Sequence, residues 1–217
     1  MLITLGIIGI IAAMTMPALI SKYQKKVVVT RLKAAYSQIN QALVMAQSQY
    51  GDTENWERDA NKILLEYIAP NLNSSSFTND IEHDYQHTMC NNNQTYKFLT
   101  GQGMGVPFNS VSPSIKLVNG SCIALNRFDP DFDGMDQTKV FIDVNGPNPP
   151  NINGKDLFVF EFDVQNGKIL PSYYSAKYNL MTPTQQGNCN KQAVYGGSAC
   201  ARVIMEAGWD MPKNYPW

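Results

Sequence analysis

The 217 residues suffice for one globular domain preceded by a stalk of about fifty residues. The net charge of −1 hides an asymmetry between the two parts. Residues 1–51 contain five of the 17 Lys and Arg residues and no acidic residue, whereas residues 52–217 contain the other 12 together with all 18 acidic residues. The globular part is mildly acidic, so we expect no nucleic-acid partner.

The chain opens with twenty uncharged residues, "MLITLGIIGIIAAMTMPALI". A helix that rises about 1.5 Å per residue needs about 20 apolar residues to cross a hydrocarbon core of about 30 Å. Residues 1–20 are therefore predicted to form a transmembrane helix. They lack the basic start and the clear cleavage site of a secretory signal peptide.

Apolar residues continue at helical spacing from Val28 to Ala46, with Lys, Arg and Gln between them. This pattern predicts an amphipathic extension of the same helix over residues 21–51, ended by Gly51 and Asp52. An unbroken helix to Tyr50 would be about 75 Å long, with a kink at Pro17. A surface helix packed on its own domain also explains the amphipathic half.

Residues 52–217 are predicted to form an α+β head domain. We expect a helix over residues 54–68, ended by Pro70 and the loop "NLNSSS", and then strands. The turn pairs Asn119-Gly120 and Asn166-Gly167 each predict a β-hairpin. The result is an antiparallel sheet of about four to six strands, covered by the apolar face of the long helix. The strand-like runs are "TYKFL", "SIKLV", "SCIAL", "TKVFIDV" and "DLFVFEFD".

The four cysteines are even in number and form no Cys-x-x-Cys pair, which favours disulfides. A short glycine-containing loop separates Cys189 from Cys200, so a bridge between them is expected, and Cys90 with Cys122 would form the second. Four cysteines allow three pairings, and four buried thiols in a reducing compartment are the alternative.

Two acidic, glycine-rich loops predict a Ca²⁺ site as one interpretation. "DPDFDG" begins like a calcium loop, although the twelfth position holds Val140 instead of the bidentate glutamate of an EF-hand. "DVNGPNPPNINGKD" supplies further oxygen ligands. Asp, Asn, Gly and Pro are also ordinary turn residues, which is the alternative. The six predicted ligands are Asp129, Asp131, Asp133, Asp143, Asn145 and Asp156.

His83, His87 and Cys90 are spaced like a metal cluster, but Asp84 stands where a zincin has glutamate, so a zinc site is disfavoured. Neither histidine lies near a serine or cysteine in a nucleophile-elbow context, and no phosphate-binding glycine loop follows a strand. The sequence therefore predicts a protein that is not an enzyme.

The segment "GIIGIIAAMTMPALI" with its amphipathic extension resembles the N-terminus of type IV prepilins and of type II secretion pseudopilins. Gly9 and Pro17 fit the family spacing if Met1 is the sixth residue of the mature form. The basic leader, the cleavage glycine and the family's glutamate are then expected upstream of Met1, which favours a start assigned at an internal methionine; a copy that has lost its processing site is the alternative. A chain starting at Met1 is expected to assemble poorly. The closing run "CARVIMEAGWDMPKNYPW" also resembles a subgroup of prepilin-type proteins.

This resemblance implies a pilin-like fold and a structural subunit that acts by assembly. The implied partners are other pilin or pseudopilin subunits, the inner membrane and, if the true start lies upstream of Met1, a prepilin peptidase. The head domain would be extracytoplasmic, where the disulfides are stable, although the positive-inside rule alone would place it in the cytoplasm. Small residues would allow close helix packing in the filament core. The assembly-helix residues are Gly6, Gly9, Ala12, Ala13 and Pro17.

A second hypothesis comes from another functional class. The chain could be a monomeric, membrane-anchored, extracytoplasmic binding domain, dependent on Ca²⁺ if the two loops bind it. Cysteine crosslinks between neighbouring stalk segments would form only in the filament case.

Overall fold

The computed structural model describes the backbone at residues 2–77, 90, 95–104, 113–126 and 137–217. Of these residues, the side chains at 2–9, 11, 12 and 74–77 are not described. The described chain forms a long N-terminal helix and an antiparallel sheet, so the predicted α+β class is confirmed.

Helix α1 spans Leu2–Tyr50 and continues through Pro17. Its 49 residues give a length of about 75 Å at about 1.5 Å per residue. Gly51 ends it in the left-handed region, with φ of 81°, and its N–H donates to the carbonyl of Gln47 at 2.9 Å. Glycine adopts this conformation without steric cost, so the helix ends where the sequence predicts.

In the part of the head domain that the structure describes, eight strands and a short second α-helix follow α1. The strands are β1 (Ser74–Phe77), β2 (Tyr96–Lys97), β3 (Gly103–Met104), β4 (Ser114–Leu117), β5 (Cys122–Leu125), β6 (Gln137–Asp143), β7 (Leu157–Asp163) and β8 (Lys168–Pro171), and helix α2 is Cys200–Glu206.

Six of the strands form one antiparallel sheet in the order β1-β4-β5-β6-β7-β8. Both predicted hairpins are confirmed, because Asn119-Gly120 joins β4 to β5 and Asn166-Gly167 joins β7 to β8. The central pair β6–β7 runs in register from Gln137 opposite Asp163 to Asp143 opposite Leu157. This pairing places Asp143 at the end of the sheet, beside the loop that leads to Asp156.

Two parts of the head differ from the prediction. The expected helix at 54–68 consists of a 3-10 turn (Thr53–Asn55), a π-helix (Lys62–Ile68) and a second 3-10 turn (Ala69–Asn71). The Arg58 guanidinium donates to the Trp56 carbonyl at 2.6 Å, which holds residues 54–58 in a turn. The expected loop 71–76 contains most of β1, because Ser74–Phe77 pairs with β4.

The strand expected at "TYKFL" is present only as β2, and it pairs with β3 in a separate two-stranded sheet.

The main sheet is buried on both faces. Successive side chains of each strand point to opposite faces, and each face packs against a cluster of buried residues. Phe158, Phe160 and Phe162 of β7 are fully buried and belong to the cluster that includes α1 and α2. The opposite face holds a smaller cluster, formed by Cys90, Tyr96, Cys122, Ala124, Phe141, Leu157 and Val159.

Candidate functional site

The described side chains of α1 up to residue 20 are exposed. Ile10 and all eight side chains from 13 to 20 are exposed. Eight residues make more than two turns of an α-helix, so every side of this segment is exposed. Met14 is 77% exposed and Leu19 is 68% exposed. This segment, residues 13–20, is called the free segment below.

Large apolar side chains in contact with water are unfavourable by about 25 cal/mol per Å² of surface. Contiguous exposed apolar surface marks a protein or membrane interaction site. The free segment is therefore the strongest candidate for an interaction site in the described chain.

The second half of α1 packs on the sheet. Tyr36 lies at its centre, where its ring stacks on Phe160 with centroids 5.0 Å apart and its hydroxyl donates to the Ile169 carbonyl at 2.9 Å. Trp209 contacts the same tyrosine at 5.6 Å between ring centroids. The helix is thereby fixed to β7, β8 and the C-terminal segment. Its buried stripe consists of Val29, Leu32, Ala35, Ile39, Ala42, Leu43 and Ala46.

Among the residues that the structure describes, no helix is long and apolar enough to cross a membrane. The span predicted at residues 1–20 includes residues 1–9, 11 and 12, whose side chains lie outside the described set.

A buried polar cluster lies at the end of β6. Asp143 is completely buried and accepts a hydrogen bond from the Tyr96 hydroxyl at 2.7 Å and another from the Asn145 N–H at 3.1 Å. Burial raises the pKa of Asp143 well above its usual range; the Tyr96 hydrogen bond offsets part of that rise, and the charge of Asp156 adds to it. Burial and the Asp143 charge also raise the pKa of Tyr96.

Asp156 completes this cluster from the loop before β7. Its carboxylate accepts the N–H groups of Asn151 and Ile152, both at 2.7 Å, and its backbone carbonyl accepts from Val144 at 2.9 Å. Burial raises its pKa, and the two backbone donors lower it. These bonds join the two ends of the loop 151–156, which gives the Asp156 side chain a structural role.

The comparisons with known proteins identify a family. The model of a family of unknown function, DUF6613, matches residues 18–217, which is all of the chain except its first 17 residues. The chain belongs to DUF6613. No curated protein and no solved structure matches it.

The DUF6613 match begins at Ala18, near the end of the free segment, and includes the whole head domain. Most of the apolar run "GIIGIIAAMTMPALI" lies before the match, whereas the amphipathic extension of α1 lies within it. Family membership therefore covers the head domain and the second half of α1, and it leaves out the apolar residues 1–17.

Both predicted disulfides of the DUF6613 head are confirmed. Cys90 is bonded to Cys122 and Cys189 to Cys200, so all four cysteines are oxidised. The first bridge ties the segment before β2 to β5, and the second closes the loop before α2. The alternative of four buried thiols is wrong.

The structure brings together half of the predicted Ca²⁺ ligands. Asp143, Asn145 and Asp156 belong to the polar cluster, whereas Asp129, Asp131 and Asp133 lie outside the described residues. Within the described residues, no group of three His, Cys, Asp or Glu side chains is placed to hold a metal. Each carboxylate oxygen of Asp143 and Asp156 already accepts a hydrogen bond. Calcium binding stays a prediction.

Among the other predicted site residues, some are described by the structure and others lie outside the described residues. His83 and His87 lie outside the described residues, and the disulfide at Cys90 removes its thiolate from any zinc site. Gly6, Gly9 and Ala12 of the assembly helix belong to α1, but nothing further is described for them. Ala13 and Pro17 are exposed.

Sequence reasoning missed one arrangement near the free segment. The C-terminal residues 209–213 lie against α1 and form a groove with Lys22, Lys25 and Lys26. The sequence shows the positive charge of Lys22, Lys25 and Lys26, but it does not show that these lysines lie near Trp209 and Lys213. No local pattern links residues that lie so far apart along the chain.

Proposed function

We propose that this DUF6613 protein is a prepilin-like structural subunit, namely a pilin, minor pilin or pseudopilin of a type IV pilus or a type II secretion system. It acts by assembly through its N-terminal helix. The inner membrane holds the subunit first, with the disulfide-bonded head outside the cytoplasm. Incorporation into a filament then transfers the apolar segment from lipid to the same segment of neighbouring subunits.

The observation that carries this proposal is the difference in burial along α1. One face of the second half is buried against the head domain, whereas the free segment has every side chain exposed. In a monomer in water, eight consecutive exposed residues contribute no hydrophobic stabilisation, because their apolar surface stays in contact with water. The large apolar residues among them are Met14, Met16, Leu19 and Ile20. Lipid followed by neighbouring helices accounts for this exposure, and the small Ala13 permits close helix approach.

Two further observations support the same proposal. Both disulfides are formed, which fits an oxidising compartment. The long helix laid on an antiparallel sheet is the arrangement that the resemblance to pilins implies.

Cysteine crosslinking tests the proposal. The full-length protein is expressed with Met14→Cys and Leu19→Cys, and the membranes are oxidised. Assembly predicts a ladder of crosslinked multimers, because equivalent helix segments of neighbours would be adjacent. Monomers alone would favour the rival function, a membrane-anchored binding domain.

A charge variant provides the matched control. Leu19→Lys should prevent polymer formation, because a lysine would be buried between helices, whereas Val118→Lys should not. Leu19 is 68% exposed and Val118 63% exposed, so neither change should destabilise the head. Equal polymer yield from both variants would contradict assembly through the helix.

A further inference from the structure

A groove of about 940 Å³ lies between α1 and the segment that follows α2. Its helix wall begins at Ala18 and Ser21, and its other wall is formed by residues 209–213. The groove therefore opens where the free segment ends and the head begins.

The charges that line this groove are mostly positive. Lys22, Lys25, Lys26 and Lys213 line it together with a single acidic side chain, Asp210. The carboxylate of Asp210 accepts the N–H of Met211 at 2.8 Å. Within the part of the chain that the structure describes, none of the four lysines forms a salt bridge. The groove has an excess of positive charge, which favours an anionic ligand.

The walls of the groove also provide apolar and aromatic surface. Trp209, Met211 and Val29 contribute to them. Two lysines near the groove lie over indole rings, Lys25 at 5.9 Å from the Trp217 centroid and Lys33 at 5.8 Å from that of Trp209. Tryptophan beside lysine is typical of the headgroup region of a bilayer, where both apolar and charged groups are accommodated.

We propose that this groove binds the phosphate of an anionic phospholipid headgroup while the subunit is held in the membrane. This inference rests on the proposed function. If residues 1–20 cross a hydrocarbon core of about 30 Å, residues 18–26 lie at the headgroup level. Ammonium groups there form charge-assisted hydrogen bonds to phosphate oxygens, and the indole packs against the glycerol and upper acyl region.

The lipid contact would also fix the head on the membrane before assembly. Lys22, Lys25 and Lys26 belong to the helix, and Lys213 belongs to the C-terminal segment, so one headgroup bridges the two. Transfer into a filament would then require release of this lipid. The free segment and the groove form one continuous surface for membrane contact.

Lipid retention by the full chain tests the inference. The protein is reconstituted into vesicles with equal parts of phosphatidylcholine and phosphatidylglycerol and extracted gently, and the lipids still bound are counted by native mass spectrometry. The wild type should retain phosphatidylglycerol preferentially. In the variant K22Q/K26Q/K213Q, the ratio of retained phosphatidylglycerol to retained phosphatidylcholine should fall. Each lysine removed should lower this ratio by about fivefold at low ionic strength.

The control variant K97Q/K168Q/K177Q removes the same charge from exposed lysines elsewhere on the head and should retain the preference. Lys25 is left unchanged because it packs over Trp217. Equal loss in the two triple variants would overturn the inference, since it would show a general charge effect. Equal retention of the two lipids by the wild type would also overturn it.

Two further measurements distinguish lipid from soluble phosphate, and lipid binding in the groove from membrane attachment alone. Displacement of phosphatidylglycerol by millimolar inorganic phosphate would assign the groove to soluble phosphate and overturn the lipid proposal. Flotation with vesicles of pure phosphatidylcholine tests membrane attachment alone. A wild type that floats but shows no lipid preference refutes only the groove, whereas one that does not float refutes the membrane stage of the proposed function.

Discussion

The two halves of α1 have the same backbone but different surroundings. Leu19 is 68% exposed and Leu43 is 1% exposed, although both are leucines in the same continuous helix. In the second half most apolar residues form one stripe that is buried against the head domain, and Val44 and Met45 lie outside it, exposed. In the free segment the apolar residues occur on all sides, so a single sheet could not cover them. A helix that is apolar all round requires an apolar environment on all sides.

The largest expected effect is on the stability of the head. Leu43→Ala should lower the free energy of unfolding by about 2–5 kcal/mol, because it removes buried contacts and leaves a cavity. Leu19→Ala should change it by less than about 0.5 kcal/mol, because the side chain is exposed. Urea unfolding of the full chain in detergent, followed by circular dichroism, measures both. A similar loss in the two variants would show that the free segment packs on the head.

The main sheet contains a buried carboxyl group, that of Asp143, whose ionisation opposes folding as the pH rises. The pKa of Asp143 is raised by burial, so the native state holds this proton at pH values where the unfolded state has lost it. The cost of ionisation is absent below the ordinary pKa and grows as pH rises towards the native pKa. We therefore expect the wild type to lose stability as pH increases from about 4.

Asp143→Asn should reduce this pH dependence and raise stability at neutral pH relative to wild type, because the amide keeps a polar contact with Tyr96 but carries no charge. Unfolding midpoints across a pH series give the comparison. Asp156 also has a raised pKa, so some dependence should remain in the variant. An unchanged profile would mean that the Asp143 carboxyl is not the titrating group.

The boundary at the end of the second half depends on Gly51. Gly51→Ala should destabilise the head by about 1–2 kcal/mol, because alanine is disfavoured at a φ of 81° even though nothing lies within 4 Å of its Cβ. Gly103→Ala is the matched control, since that glycine also has open space but no positive φ. Thermal unfolding of both variants distinguishes backbone strain from crowding. Equal shifts would refute the role of the left-handed conformation.

The smallest expected effect concerns the hydrogen bond between α1 and β8. Tyr36→Phe removes the bond to the Ile169 carbonyl and keeps the ring stacked on Phe160, so we expect a loss of about 0.5–1.5 kcal/mol. Tyr23→Phe, at an exposed position near the free segment, should have no measurable effect. If Tyr23→Phe lowered the free energy of unfolding as much as Tyr36→Phe, the two halves of α1 would not differ in their contacts with the head.

Much of the fold follows from local patterns in the sequence. The end of α1 at Tyr50 follows from a glycine that tolerates a positive φ, and the two hairpins follow from Asn-Gly pairs. The Cys189–Cys200 bridge follows from a short intervening loop. The prediction failed at β1 and at residues 54–58, because edge pairing with β4 and the Arg58 bonds depend on contacts that polar loop residues do not reveal.

Residue patterns along the chain are enough to predict a long helix, first apolar and then amphipathic, before a disulfide-bonded sheet domain. The packing of the folded chain is needed to show which half of that helix is buried and that Lys213 and Trp209 lie beside Lys22 and Lys26. Helix formation, turns and short loops depend on neighbouring residues, so local periodicity predicts them. A groove between the two ends of a chain depends on how the whole sheet positions its termini, and no local preference contains that information.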